Sequence, residues 1–159
     1  MDPSNPEALQ CYCNFLISKQ QPEEAANYLK KSVEIWSNKE DLPPFNFRCN
    51  TSKLLIELNL HKEAIPILER LLEEDNEFPE NWYLLSLCHF DNLQDCKDCL
   101  EKASLLLSKS DDPNDQEFLK QINSNLEQVN VSLSNQSDPN DQNMNEGENE
   151  DMNDEDDSN

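Results

Sequence analysis

The amino-acid sequence predicts an all-α fold, and two observations support this prediction. The only glycine is Gly147, so residues 1–146 must fold without the residue that tight β-hairpin turns commonly require. Apolar residues recur at helical spacing in three successive pairs of segments, which are separated by short stretches containing Asn or Pro. A glycine-poor chain of Leu, Glu, Lys and Ala suits helices joined by turns of this kind. We therefore expect helical hairpins.

Each predicted helix follows from its own start signal and apolar spacing. Asn5 is a suitable N-cap for a helix that begins at Pro6, and Pro22 begins the second helix in the same way. Asn59 fits the turn of the second hairpin because it tolerates the left-handed conformation. Pro66 is expected to weaken or bend the start of its helix. The six predicted helices cover residues 6–20, 22–36, 45–58, 61–75, 79–91 and 94–108.

A seventh helix is predicted after the three pairs, and its composition is that of a cap. Asp112 is the expected N-cap and Pro113 the first helical residue. Phe118, Ile122 and Leu126 recur every four residues, whereas most other positions are polar. One face of such a helix can cover the last hairpin while the other faces water.

The three helix pairs share a register, which indicates a repeat. A small residue recurs in the first helix, another in the second helix, and a leucine follows. These positions are Cys13, Ser52 and Ser86, then Ala25, Ala64 and Cys96, then Leu29, Leu68 and Leu100. The register resembles the tetratricopeptide repeat (TPR), in which small residues let two helix backbones approach closely. Inserted residues 40–44 lengthen the first repeat, and the turn within the third hairpin is shorter than the TPR period predicts. A generic helical bundle with accidental periodicity is the alternative.

The acidic residues are unevenly distributed along the chain. Residues 121–159 contain 11 of the 34 acidic residues and none of the 12 Lys and Arg residues. We therefore divide the chain into a TPR superhelix with its capping helix, residues 1–131, and a disordered acidic tail, residues 132–159. The tail has too little apolar surface to offset its chain entropy. Two roles remain open for it: keeping the protein soluble, or screening the basic segments of a partner from RNA.

Several function classes are disfavoured by the sequence. No membrane span or signal-peptide pattern occurs, so we expect a protein of the nucleus and cytoplasm with reduced cysteines. Cys88, His89, Cys96 and Cys99 suggest a zinc site, but a second Cys-x2-Cys pair is missing and the repeat register already accounts for Cys96. No recognisable nucleophile setting or phosphate-binding glycine loop occurs. We therefore expect no metal, no cofactor and no enzymatic activity.

Two stretches are more specific than a generic TPR. They are residues 5–33 and residues 43–90, and the most specific part is formed by the runs PPFNFRCNTSKLLIEL (43–58) and ERLLEEDNEFPENWYLL (69–85). Over about residues 2–130 the chain resembles the acidic TPR chaperones dedicated to large-subunit ribosomal protein four. The resemblance implies a ribosome-biogenesis chaperone that shields a basic extended loop of this client until assembly, as a monomer or one-to-one complex, without direct contact to nucleic acid or membrane. The residues DPSN before Pro6 resemble the end of a preceding TPR, so we expect a longer array or a lost first repeat.

The predicted binding surface is the concave face of the repeat stack, because the first helix of each TPR lines that face. Acidic residues above an apolar floor suit an extended segment with basic and apolar side chains. The residues that we predict to contact the partner are Glu7, Asn14, Lys53, Glu57, Glu80, Tyr83, Phe90 and Asp91. Other residues placed on this face are Gln10, Ile17, Ser18, Asn46, Cys49, Ile56 and Leu87. For any one acid, an ordinary solvated position is the alternative.

Two other roles are compatible with a TPR fold. A co-chaperone or adaptor would clamp the acidic C-terminal tail of another protein with Lys, Asn and Arg side chains from its first helices. Residues 79–91 contain no Lys or Arg, and Lys53 is the only base among the predicted contacts. A scaffold subunit would instead bury its convex surface in a larger assembly and leave the groove empty.

Overall fold

The computed structural model describes Asp2 and residues 4–136, and every regular element in that part of the chain is an α-helix. The helices are α1 (Pro6–Ser18), α2 (Pro22–Trp36), α3 (Phe45–Glu57), α4 (His61–Glu74), α5 (Pro79–Cys88), α6 (Leu93–Leu107) and α7 (Pro113–Gln136). The all-α prediction and the pairing of the helices are confirmed. Helix α7 continues through residues 132–136, which the sequence assigned to the tail. The rest of the predicted tail lies outside the described residues.

The predicted N-caps form hydrogen bonds. Asn5 Oδ1 accepts from the backbone N–H of Glu7 at 2.9 Å and of Ala8 at 3.2 Å. Asp112 Oδ1 accepts from the backbone N–H of Asn114 at 2.8 Å at the start of α7. These side chains satisfy backbone donors that a helix leaves free in its first turn.

Two hairpin turns adopt the left-handed conformation without glycine. Asn59 has a φ of 59°, as its side chain suggested, and Gln20 has the same value in the first hairpin turn. The sequence did not indicate Gln20, because glutamine has no preference for this region. Pro66 is exposed, and α4 runs through it from His61 to Glu74 without interruption.

Each hairpin packs through the predicted small residues. The small positions of the first helices are buried, as are those of the second helices in the first two hairpins. These residues are Cys13, Ser52, Ser86, Ala25 and Ala64. Cys96 is only half-buried in the third hairpin. The leucines at the next repeat position, Leu29, Leu68 and Leu100, are also buried, so the shared register describes the core.

The buried residues form two apolar clusters. The larger cluster runs through all three hairpins and contains Leu29, Leu55 and Leu68. The smaller cluster lies where α7 covers α6 and contains Leu107 and Ile122. Partly buried residues of α7, Phe118 and Leu126 among them, pack against it. Helix α7 therefore acts as the predicted cap.

A buried arginine fixes the inserted segment, residues 40–44. Arg48 occupies the position at which the TPR signature has tryptophan, and its side chain is 5% exposed. Its Nη1 and Nη2 atoms donate to the two carboxylate oxygens of Glu74, both at 2.7 Å. Its Nε donates to the carbonyl oxygen of Pro43 at 2.8 Å. The guanidinium is thus hydrogen-bonded on both edges, and it ties the inserted segment to the end of α4.

Candidate functional site

The first helices of successive hairpins lie side by side and form one surface. We call this surface, made by α1, α3, α5 and α7, the first-helix face. The Thr51 hydroxyl of α3 donates to Gln10 Oε1 of α1 at 3.0 Å. Cys49 Sγ of α3 donates to Asn81 Oδ1 of α5 at 3.5 Å. Gln10 and Cys49 are therefore buried between helices, where they fix the register of the stack rather than facing a partner.

Two predicted contact residues form an ion pair on this face. Lys53 Nζ of α3 lies 2.8 Å from Glu80 Oε1 of α5, and the two side chains are 40% and 39% exposed. An ion pair at this exposure contributes only about 0–1 kcal/mol. The pair thus neutralises Glu80 in the free protein, and another cation can replace Lys53 at little cost.

Glu57 lies at the end of α3 and is exposed. Burial, together with the nearby Glu57 charge, raises the pKa of the Cys13 thiol to about 11. The Glu57 charge of α3 is thus felt by a buried thiol of α1. Asn14 is exposed on α1.

Tyr83 connects α5 to the capping helix. Its ring packs edge-on against the ring of Phe118, with centroids 5.1 Å apart. Its hydroxyl accepts from Gln121 Nε2 at 3.1 Å. Part of the Tyr83 surface that the sequence assigned to a partner is thus used within the protein.

Phe90 and Asp91 lie in a turn rather than on α5, in contrast to the predicted helix 79–91. Helix α5 ends at Cys88 because Asn92 caps α6, accepting from the backbone N–H of Gln94, and the chain must turn before that cap. The Phe90 side chain is 61% exposed, and its ring lies against His61 of α4 with centroids 5.2 Å apart. These two residues lie at the edge of the hairpins.

Glu7 and a residue that the sequence analysis missed lie together at another edge. Glu7 is exposed in the first turn of α1 and lines a cleft with Trp36 of α2. The Trp36 side chain is buried, and its indole N–H has no acceptor among residues 4–136 and Asp2. The insertion of residues 40–44 just after this tryptophan was the only sequence signal for the cleft.

The cysteines of the third hairpin are buried thiols. Burial raises the pKa of Cys88 to about 11 and that of Cys99 to about 12, and the neighbouring Cys96 adds to the effect on Cys99. Among the residues that the structure describes, no group of three or more His, Cys, Asp or Glu side chains could hold a metal ion. None of the described helices is both long and apolar enough to cross a membrane.

Sequence comparison relates this chain to two curated proteins, each named probable assembly chaperone of rpl4. The protein from Emericella nidulans is 38% identical over 95 residues, which cover 55% of this chain and 24% of that protein. The protein from Schizosaccharomyces pombe is 37% identical over 103 residues, which cover 60% of this chain and 31% of that protein. The chain thus spans about a quarter to a third of the length of these relatives. No known protein-family profile matches it. The resemblance to this group of chaperones is confirmed.

Structural comparison gives the fold. PcrH from Pseudomonas aeruginosa superposes with a TM-score of 0.58 at 14% identity, over 79% of this chain and 91% of that one. MamA from Desulfovibrio magneticus RS-1 superposes with a TM-score of 0.55 at 18% identity, over 84% of this chain and 73% of that one. The Sgt2 TPR domain from Aspergillus fumigatus superposes with a TM-score of 0.51 at 16% identity, over 94% of this chain and 89% of that one. The TPR architecture predicted from the register is therefore confirmed.

Proposed function

We propose that this chain is a ribosome-biogenesis chaperone, which binds a basic extended segment of rpl4 on the first-helix face and shields it until assembly. The observation that carries the proposal is the identity of 37–38% to two proteins named as assembly chaperones of rpl4. The protein acts by binding rather than by catalysis, in a one-to-one complex with its client, in the nucleus and cytoplasm, and without contacting nucleic acid.

The charge of the first-helix face supports a cationic ligand. Glu57 presents an exposed carboxylate, and Glu80 presents a second one, which pairs with the half-exposed Lys53. The chain as a whole carries a formal charge of −22, which attracts basic segments over long distances at low salt. An arginine of the client can replace Lys53, because a guanidinium binds a carboxylate through two parallel hydrogen bonds.

The same residues disfavour the co-chaperone alternative. A clamp for an acidic C-terminal tail needs free basic side chains on the first helices. Lys53, the base predicted there, already pairs with Glu80. An acidic ligand would have to separate this pair and would then face the carboxylates of Glu57 and Glu80.

Charge reversal on the first-helix face tests the proposal. Short overlapping peptides that span rpl4 are first titrated with the full chain by fluorescence anisotropy at low salt, and we expect a basic peptide to bind most tightly. Glu57→Lys combined with Glu80→Lys should weaken that peptide about ten-fold or more, because two attractive charges become repulsive.

The matched control is Glu69→Lys combined with Glu73→Lys, which makes the same charge change at exposed positions of α4. The control should keep the affinity within about two-fold. Equal weakening by both double variants would mean that net charge alone drives binding. Unchanged affinity in the variant with Glu57→Lys and Glu80→Lys would exclude the first-helix face as the site.

A further inference from the structure

A pocket of about 320 Å³ lies at one edge of the stack, between the turn of the second hairpin and the turn of the third. Its volume is at the lower end of the roughly 300–1,000 Å³ that ligand pockets span. Most of its wall is apolar, with contributions from Ile65 of α4 and from Cys88 and Phe90 of the third hairpin. The pocket is thus suited to a single apolar side chain rather than to a polar ligand.

The pocket opens where α5 ends early. Helices α1 and α3 each have 13 residues, whereas α5 has 10. Because Asn92 caps α6, the chain leaves α5 after Cys88, and residues 88–92 line the pocket opposite the start of α4. The rings of His61 and Phe90, with centroids 5.2 Å apart, bring the two sides together. One short helix in the repeat therefore accounts for the recess.

Phe90 presents an apolar ring to solvent at this pocket. Its side chain is 61% exposed, which is more than that of any other large apolar residue in the described part of the chain. An apolar side chain of a partner that covers this ring removes apolar surface of both molecules from water. Aromatic residues beside a pocket are also the usual anchors of protein interfaces.

The charges around the pocket nearly cancel. Lys62, Glu63 and Asp91 line it, and Glu63 Oε1 lies 2.9 Å from Lys30 Nζ of α2. Lys62 and Asp91 are both exposed and carry opposite charges. The pocket therefore selects a side chain by its apolar character and not by its charge.

The pocket adjoins the first-helix face. Asn59 in its wall comes two residues after Glu57, which ends α3, and Phe90 comes two residues after Cys88, which ends α5. The ends of two helices of the first-helix face thus lead directly into the pocket. A segment that is bound on this face can place a neighbouring side chain there.

We propose that this pocket holds one aliphatic or aromatic side chain of the partner segment, packed against Phe90 and Ile65. The inference rests on the proposed function for the identity of the partner. The first-helix face attracts basic residues, and the pocket selects, among basic segments, those that carry an apolar residue close to their arginines or lysines. This requirement is one that charge alone does not impose.

A series of peptides with one guest residue tests the inference. The probe is a synthetic peptide of repeated Arg-Pro-Ala units, which is basic and extended, with one central alanine replaced by serine or by leucine. Affinity for the full chain is measured by fluorescence anisotropy. The leucine peptide should bind about ten-fold more tightly than the serine peptide, because its guest side chain leaves water. This ratio should persist at higher salt, since salt screens charges. Equal affinities would overturn the inference.

Two exposed phenylalanines provide a variant and its matched control. Phe90→Ala should reduce the advantage of the leucine peptide to less than about two-fold, because the guest side chain loses its aromatic contact. Phe15→Ala removes the same atoms at a 50% exposed position of α1 and should keep the full advantage. An advantage that survives in Phe90→Ala, or that Phe15→Ala abolishes equally, would overturn the assignment to this pocket.

Isoleucine methyl signals locate the bound side chain. The full chain carries carbon-13 in its isoleucine methyl groups, and the Ile65 signal is assigned with the Ile65→Val variant. A peptide with phenylalanine as the guest should shift the Ile65 signal through the ring current of the bound ring. Ile122, which is buried beneath α7, should keep its position. An unchanged Ile65 signal at saturation would show that the guest side chain does not enter the pocket.

The serine peptide distinguishes this inference from the proposed function. If Glu57→Lys with Glu80→Lys weakens the serine peptide and leucine gives no advantage, the pocket holds no side chain and the first-helix face remains the binding site. If the advantage of leucine depends on Phe90 but charge reversal leaves both affinities unchanged, the pocket stands and the first-helix face fails. If neither peptide binds at saturating concentration, both proposals are wrong.

Discussion

The two ends of the helical stack differ in how far their apolar residues are buried. Phe15 of α1 is 50% exposed, whereas the residues at the same repeat position of α3 and α5, Leu54 and Cys88, are 8% and 6% exposed. Helices α3 and α5 each pack against the preceding hairpin, and at the other end α7 covers α6, so that Ile122 is fully buried. Burial in this fold is thus decided by the neighbouring hairpin, and an apolar residue in the repeat register is not core by itself.

The junctions between hairpins also differ in their chemistry. The first and second hairpins are joined partly by polar contacts, including the ion pair of Lys30 and Glu63 at 2.9 Å and the hydrogen bond of Thr51 and Gln10. The junction beneath α7 is formed by an apolar cluster around Leu107 and Ile122. We therefore expect acid to weaken the first junction through Glu63, and loss of apolar volume to act mainly on the cap.

The largest expected difference concerns cysteine reactivity. Cys11 is exposed on α1, whereas Cys99 is buried with its pKa raised to about 12. At pH 8 only about one Cys99 thiol in ten thousand is the reactive thiolate. Iodoacetamide should therefore modify Cys11 at least about a thousand-fold faster, as followed by peptide mass spectrometry. Rates within ten-fold of each other in the folded protein would contradict the burial of Cys99.

Truncation of apolar side chains should have the next largest effect. Ile122→Ala should lower the free energy of unfolding by about 2–5 kcal/mol, because it leaves a cavity under the cap. Leu54→Ala should cost a similar amount, whereas Phe15→Ala should cost less than about 1 kcal/mol at its exposed position. Urea denaturation followed by circular dichroism measures all three. A large cost at Phe15 would show that the face of α1 is covered in solution.

Acid should weaken the polar contacts by a smaller amount. Hydrogen bonds from Lys30 and Arg48 hold the pKa values of Glu63 and Glu74 below their ordinary value of 4.5. Both carboxylates thus stabilise the fold above about pH 4.5, and this contribution is lost as the pH falls through their lowered pKa values. Because both side chains are more than a third exposed, each contributes at most about 1 kcal/mol.

The measurement is the difference in unfolding free energy between wild type and the Glu63→Gln, Glu74→Gln double variant. That difference should shrink between pH 6 and pH 3. Glu34→Gln with Glu69→Gln, at exposed positions of α2 and α4, is the control. A difference that stays constant over this range would mean that the two ion pairs contribute nothing.

The smallest expected effect lies in the turn that closes the first hairpin. Gln20→Gly should raise the free energy of unfolding by about 0.5–1 kcal/mol, because glycine adopts the left-handed conformation without strain. The greater freedom of glycine in the unfolded chain offsets part of this gain. Asn59→Gly should gain less, since asparagine tolerates this conformation. Thermal melts of the two variants test the order. A loss of stability in Gln20→Gly would mean that its side chain makes a contact that outweighs the strain.

Local rules predicted most of the fold and less of the candidate site. Asn5, Asn59 and Asp112 act within a few residues of themselves, so the sequence revealed their roles. Phe90 was misplaced because the end of α5 depends on the cap of the following helix. The cleft at Trp36 was missed because its walls come from α1, α2 and the insertion, which only the folded chain brings together.

In the free protein, the Glu80 carboxylate on the first-helix face already has a cationic partner, the ammonium group of Lys53. A ligand cation that binds Glu80 would have to displace this ammonium group. A lysine of the ligand would replace one ammonium–carboxylate contact with another, whereas an arginine could form two parallel hydrogen bonds with the carboxylate. Separating Lys53 from Glu80 costs the same for either ligand, so a preference for arginine over lysine would come from the second hydrogen bond that a guanidinium can form with the Glu80 carboxylate.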